Sequence, residues 1–294
     1  MERLMGRLTG HLTGRRRSRD ARAVVTGAGS GIGRSFALEL ARRGGSVVVS
    51  DVDEPSARRT AGMVEDAGGK ALALGCDVSD ADAVATLARD AADWFAGPPT
   101  LVVNNAGVGA GGDLVGEVPL EDWQWTLGIN LWGVIHGCHV FAPLLREAGG
   151  GGIINVASAA SYAAAPRMAA YNVSKAGVLA LSETLAAELA GSGVHVSVLC
   201  PTFVKTNIIE AGRITSASGS LAGTLMKVTG MSPDRVARTC LDAHDRGALY
   251  VMPQLDAKAT WELKRHAPRL YTHGAGLLER VSGPLRTDHA TKGH

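Results

Sequence analysis

Two kinds of apolar run alternate along this chain. The first kind is short and nearly continuous: AVV (23–25), SVVVSD (46–51), KALALGCDV (70–78), TLVVNNAG (100–107), GGIINVAS (151–158), HVSVLCP (195–201) and ALYVMP (248–253). Runs of this length, bounded by Gly, Asp, Asn or Pro, predict seven buried strands. The second kind spaces its apolar residues by three and four. Phe36, Leu40 and Ala41 set this pattern in residues 33–45, and similar stretches cover 54–68, 80–95, 120–148, 169–190 and 232–247. These predict helices. The last is the best punctuated, with Ser232 at the N-cap, Pro233 at the first helical position and Gly247 just past the end. Strands that alternate with helices pair in parallel through right-handed crossovers, so the expected fold class is α/β, a doubly wound parallel sheet with helices on both faces. The pattern runs without a linker, which makes residues 21–255 one domain. Residues 1–20 are a basic N-terminal extension and 256–294 a basic amphipathic C-terminal tail. Segment 207–231 breaks the pattern with Gly and Ser among Ile, Leu and Met; its length inside a compact domain reads as a lid.

Composition sharpens this picture at a few points. Hydrophobic residues make up 46% of 294 and charged residues 20%, enough to build a large core. The formal net charge of +2 is unevenly spread, since both termini are basic and the residues between them are net acidic. That distribution excludes nucleic acid as the main partner. The four cysteines, at 76, 138, 200 and 240, form no C-x-x-C pair and no metal-ligand spacing, so they are expected to be reduced, mostly buried thiols of a cytoplasmic protein without a metal. No run of about 18 uninterrupted apolar residues points to a membrane span.

The first strand leads into Thr26-Gly27-Ala28-Gly29-Ser30-Gly31-Ile32-Gly33, which then opens a helix. Glycines in that position let the backbone turn tightly and approach a pyrophosphate, whose charge the helix N–H groups meet. Twenty residues beyond Gly31, at the end of the second strand, stands Asp51. A carboxylate there accepts both ribose hydroxyls of NAD and repels the 2′-phosphate of NADP. Neither Ser30 nor Val52 is basic, and Arg34, Arg42 and Arg43 read as helix-surface charges. The expected cofactor is NAD, with NADP less favoured, on a Rossmann-type turn.

Two tyrosines compete for a role in proton chemistry. A tyrosine at its ordinary pKa of about 10 is a poor base at neutral pH. Tyr171 and Lys175 are four apart in a predicted helix and project from one face, where the ammonium favours the phenolate. Tyr162 has no such partner. It stands in a predicted turn after a strand, where packing or a pocket wall suits it. Ser158 ends the fifth strand, at the edge where ligands collect in open α/β sheets.

Together, Thr26-Gly-x-x-x-Gly31-x-Gly33, Asn104-Asn105-Ala106-Gly107, Ser158 and Tyr171-x-x-x-Lys175 resemble the short-chain dehydrogenase/reductase family over residues 21 to 253. The resemblance implies that Tyr171 is the general acid/base. It implies that Lys175 lowers the tyrosine's pKa and holds the nicotinamide ribose, and that Ser158 orients the substrate oxygen. It further implies that Asn130, unremarkable by itself, positions a water in the proton relay. Gly27, Ser30, Gly31, Ile32 and Gly33 would hold the pyrophosphate. Asp77 and Val78 would lie beside the adenine, Asn104, Ala106 and Gly107 would line the cofactor cleft, and Val204 and Thr206 would meet the nicotinamide amide. Pro201-Thr202 departs from the family's Pro-Gly and narrows the backbone choices of that loop. Family members of this kind form dimers or tetramers, which implies a homodimer or homotetramer here, with helices 120–148 and 169–190 as its interface.

The substrate is less defined. Val108, Met168, Ile208, Ile209, Leu221, Leu225 and Met226 would suit an apolar alcohol or ketone, or would simply pack the lid. Arg167 is a candidate anion contact. The tail 261–285 mixes Trp, Leu and Tyr with Lys and Arg. It fits a peripheral membrane contact, or docking on the cleft or on a neighbouring subunit. Three activities are therefore weighed: an NAD-dependent alcohol dehydrogenase, an NADPH-dependent reductase of lipid or polyketide type carbonyls, and a non-catalytic dinucleotide-binding regulator.

Overall fold

Val24 and Val25, Val102 and Val103, and Ile153 and Ile154 are all fully buried neighbours on strands. Successive strand side chains point to opposite faces, so both faces of the sheet must be covered. A computed structural model of the chain, describing residues 16–206, 208, 212–215 and 230–282, shows how. In chain order the elements are β1 (Arg22–Thr26), α1 (Gly31–Arg42), β2 (Ser46–Asp51), α2 (Glu54–Asp66), β3 (Lys70–Gly75), α3 (Ala81–Phe95), β4 (Leu101–Asn104) and the short β5 (Ala110–Gly111). There follow α4 (Leu120–Leu127), a π-helical turn (Gly128–Trp132), α5 (Gly133–Glu147), β6 (Gly151–Val156), the single turn α6 (Ala160–Ala163), α7 (Ala169–Glu188), β7 (Val194–Leu199) and β8 (Arg213–Ile214). The chain ends in α8 (Pro233–Asp245), β9 (Tyr250–Val251), α9 (Leu255–His266) and α10 (Pro268–Ser282).

Seven strands form one sheet in the order β3-β2-β1-β4-β6-β7-β9, every neighbouring pair parallel. Val24, Val102, Ile153 and Val196 pack against Leu87 of α3, Phe141 of α5 and Val178 of α7. Val25, Val103, Ile154 and Leu199 pack against Phe36 and Leu40 of α1, Val64 of α2 and Leu241 of α8. The expected doubly wound sheet is therefore present. The strand order reverses between β1 and β4, which leaves a crevice at the carboxyl ends of those strands.

The long stretch Leu120–Glu147 is apolar and long enough to cross a membrane by length and composition. Here Val134, Cys138, Phe141 and Leu145 are buried against the sheet. One polar chain crosses that same core. Asn104 Nδ2 donates to Asn155 Oδ1 at 2.8 Å, and Asn155 Nδ2 donates to Ser182 Oγ at 3.0 Å, tying β4 and β6 to α7.

Both terminal segments dock on the body where they are described. Ser18 is fully buried, and its N–H and hydroxyl donate to the two carboxylate oxygens of Asp245 at 2.9 and 2.7 Å. The tail forms two helices, α9 and α10, joined at Ala267. Most of segment 207–231, read as a lid, lies outside the described residues, as do residues 1–15 and 283–294.

Candidate active site

The turn between β1 and α1 works because two positions tolerate nothing larger than hydrogen. Gly27 has φ +61°, and a Cβ there would lie 2.7 Å from Ala106 Cα. A Cβ on Gly33 would lie 2.2 Å from the Gly27 carbonyl oxygen. Asn105 clamps the same turn, its Nδ2 donating to the carbonyls of Thr26 at 2.8 Å and Gly27 at 3.1 Å. In return the Thr26 hydroxyl accepts from the N–H groups of Asn105 and Ala106 at 3.0 and 3.2 Å. The turn and the 104–107 loop thus form one unit. Ser30 stands at the N-cap of α1, but its side chain makes no capping bond. The first amides of α1 are thereby left for an anion, and Thr206 sits over them, its Cγ2 3.0 Å from where a Gly31 Cβ would be.

Asp51 is held at both carboxylate oxygens. Oδ2 accepts from the Gly29 N–H at 2.9 Å and Oδ1 from the Asp53 N–H at 3.0 Å. Each oxygen keeps a lone pair for a further donor. Arg34 lies behind the same peptide, bonded to the Gly29 carbonyl and to Thr60 Oγ1. It is more than the surface charge its position suggested. Asp77 is exposed and accepts from the Ser79 N–H and hydroxyl. Val78 is buried against Gly133, and Val204 is buried in an isolated bridge to Met231. The Asn104 side chain is committed inside the core to Asn155 and Cys138, so only its backbone is left to face the cleft beside Ala106 and Gly107.

Asn130, Ser158, Tyr171 and Lys175 are placed by three elements: the π-helical turn, β6 and α7. Asn130 lies in the π-helical turn, where an extra residue per turn re-aims the side chain. Its Oδ1 accepts from the Val108 N–H at 2.7 Å, and its Nδ2 donates to the Val108 carbonyl at 2.9 Å and to Ser174 Oγ at 3.3 Å. Ser158 follows β6, with its hydroxyl accepting from the Ala160 N–H at 3.2 Å. Tyr171 and Lys175 lie one turn apart on α7, the Lys175 Nζ 5.8 Å from the tyrosine ring centre. That Nζ donates to the Val156 carbonyl at 3.0 Å and lies 3.3 Å from where a Gly107 Cβ would be.

The electrostatics differ from the simple expectation of a lowered tyrosine. Burial raises the Tyr171 pKa, opposed by a hydrogen bond with Ser158. The same burial lowers Lys175 from 10.5 to about 8, with Cys200 raising it. Desolvation disfavours both charged forms, so the protein's own groups alone keep the tyrosine protonated. A further positive charge in the cleft is what would free its proton.

Tyr162 is no rival. It lies in the helical turn α6 rather than the loop expected for it, is buried, and donates its hydroxyl to the Ala257 carbonyl at 3.1 Å. Burial drives its pKa well up. Sequence reasoning missed Asn105, whose only signal was its place after Asn104. It also missed the ties of Thr202, whose N–H donates to Gln254 Oε1 and whose hydroxyl donates to Asp256 Oδ1, both at 3.2 Å. These account for a β-branched residue where glycine was expected.

The family model for short chain dehydrogenases matches residues 21–215. This chain belongs to the short-chain dehydrogenase/reductase family. The chain is 44% identical over 191 residues to "Probable oxidoreductase EphD" of Mycobacterium tuberculosis, a match covering 65% of this chain but only 32% of that much longer protein. It is 35% identical to the 1-deoxy-11-beta-hydroxypentalenate dehydrogenase of Streptomyces exfoliatus, over 80% of this chain and 84% of the relative. A solved short-chain dehydrogenase from Burkholderia phymatum in complex with NAD superposes with a TM-score of 0.78 at 36% identity, over 84% of this chain and 94% of that one. The named relatives are oxidoreductases and dehydrogenases, and the solved one holds NAD. The glycine turn, the uncapped start of α1 and Asp51 fit the diphosphate and the ribose of such a group.

Proposed function

We propose that this dehydrogenase interconverts an apolar secondary alcohol and its ketone, with NAD(H) as the cofactor and Tyr171 as the general acid/base. The observation that carries the reading is the convergence of Ser158, Tyr171 and Lys175 at the carboxyl end of β6, beside the glycine turn. When bound, the dinucleotide supplies the hydride acceptor or donor. Ser158 holds the substrate oxygen next to the Tyr171 hydroxyl. Tyr171 takes the alcohol proton in oxidation and returns it in reduction. Lys175 favours the phenolate, and its value of about 8 leaves it mostly charged at neutral pH. Asn130 is fixed by three hydrogen bonds and holds the Val108 backbone beside Lys175 and Gly107. Val108 and Met168 offer partly buried apolar surface to the substrate. Asp51, which accepts hydrogen bonds and repels phosphate, supports NAD over NADP. Trp132 and Val173, both about half exposed, support a homo-oligomer built on the π-helical turn and α7.

The test is turnover of a panel of aliphatic and alicyclic secondary alcohols with NAD. Tyr171→Phe is expected to lose about 10²–10⁴ in kcat and to keep NADH binding, whereas Tyr162→Phe keeps its turnover. Normal turnover in Tyr171→Phe, or loss confined to Tyr162→Phe, overturns the assignment.

A further inference from the structure

The C-terminal helices α9 and α10 are tied at three points to the two connections that follow β6 and β7. After β7, Gln254 accepts from the Thr202 N–H and donates its Nε2 to the Phe203 carbonyl at 3.0 Å, while Asp256 accepts from the Thr202 hydroxyl. After β6, Tyr162 donates to Ala257 and meets the Trp261 ring edge-on at 5.1 Å. Before α7, Arg167 pairs with Glu279 of α10, 112 residues away in sequence.

The third tie lies nearest the chemistry. Arg167 has φ +61° and Ala164 φ +51°, two left-handed non-glycine residues within seven positions of Tyr171. Such a conformation persists only where its surroundings hold it. The Arg167 carbonyl accepts from the Gly112 N–H at 2.7 Å, and its guanidinium Nη1 donates to the Gly112 carbonyl at 3.2 Å. Asn172 Nδ2 donates to the Ala165 carbonyl at 2.7 Å. Gly111, which ends β5, has no room for a side chain, since its Cβ would lie 2.9 Å from the Arg167 carbonyl oxygen. The Arg167 side chain is 16% exposed and that of Glu279 22%, so the pair lies largely out of water. Glu279 is the only acid paired with Arg167 among the described residues.

We propose that Glu279 is a positioning residue for the substrate side of the cleft. Acting through Arg167, it holds the left-handed loop 164–168, and so sets the fit of bulky substrates beside Tyr171. This rests on the reading of Tyr171 as the acid/base. Without Glu279, a mostly buried cation keeps only the Gly112 carbonyl as partner, and the loop relaxes toward ordinary backbone conformations. The diphosphate turn and Asp51 touch none of these groups, so cofactor binding stands apart from the effect.

The test compares Glu279→Gln and Glu279→Ala with the wild-type full chain in three measurements. These are KM and kcat over secondary alcohols of increasing bulk, NADH affinity by fluorescence titration, and amide hydrogen exchange of residues 163–172. Expected in Glu279→Ala are a KM raised about fivefold, as for loss of one partly screened charge-assisted bond, and faster exchange in that peptide. The kcat should stay within about twofold and NADH affinity should be unchanged, with Glu279→Gln intermediate. Wild-type KM and wild-type exchange in Glu279→Ala overturn the proposal. So does a joint fall of kcat, NADH affinity and thermal stability, which marks a merely structural pair. If the wild-type chain turns over no alcohol of the panel, the functional reading fails. Exchange of residues 163–172 then still decides whether Glu279 holds the loop.

Discussion

Lys175 is 3% exposed, and burial lowers its pKa from 10.5 to about 8. A drop of that size means the fold disfavours the charged lysine by roughly 3 kcal/mol. The sign follows from proton counting. Between pH 8 and 10.5 the unfolded chain carries this proton and the folded chain does not, so this group's contribution to stability rises with pH across that window. Below pH 8 its full destabilising effect is present. Lys175→Met removes the charge at nearly constant length but leaves the Val156 carbonyl without its 3.0 Å donor, a loss of about 1–3 kcal/mol. The variant should therefore be as stable as wild type or more so, by about 0–2 kcal/mol near pH 7, equivalent to a rise in Tm of at most a few degrees. Near pH 10 the advantage should vanish or reverse, and turnover should be lost at every pH. Urea unfolding of both proteins at the two pH values measures this as a difference. Groups not coupled to Lys175, such as the Cys76 and Cys138 thiols that burial pushes up to about 11, titrate alike in both and cancel, whereas the Cys200 thiol, which Lys175 lowers, shifts with it. A variant less stable near pH 7, or a stability difference independent of pH, refutes the reasoning.

Gly33→Ala should weaken NADH binding at least about tenfold and lower Tm, because its Cβ would meet the Gly27 carbonyl oxygen at 2.2 Å and Asn105 Nδ2 at 2.5 Å; an unchanged titration curve contradicts this. Asp51→Ala should weaken NADH binding about ten- to hundredfold through lost charge-assisted bonds while NADPH binding improves. A competition titration with the two dinucleotides checks both arms, and an NADPH preference already present in the wild type refutes the role given to Asp51.

Strand β2 coincides with its apolar run because both faces of a central parallel strand are buried, so no competing periodicity blurs its ends. Helix α8 begins at the predicted Pro233 because Ser232 accepts from the Arg235 N–H, a local interaction that sequence spacing encodes. The pairing of Tyr171 with Lys175 was legible for the same reason, since four residues of helix bring the two together. The rest depends on distance. A π-helical turn leaves no periodic trace, so Asn130 was placed by resemblance and not by pattern. The two asparagines after β4 look equivalent in sequence. The pleat then sends Asn104 into the core and leaves Asn105 to clamp the glycine turn. Thr202 looked like a departure that narrowed its loop until Gln254 and Asp256, more than fifty residues later, supplied its partners. Tyr171's electrostatics were misjudged because sequence shows the lysine but not the burial that weakens both charges.

The chain order places β1, β2, β3 and β4, with the glycine turn and Asp51, within residues 22–104, whereas α9 and α10 begin only at Leu255. A ribosome adds about 5–20 residues each second, so the glycine turn and Asp51 emerge many seconds before α9 and α10. The turn that fits a diphosphate and the helices tied to the loops after β6 and β7 are thereby separated in the order of synthesis.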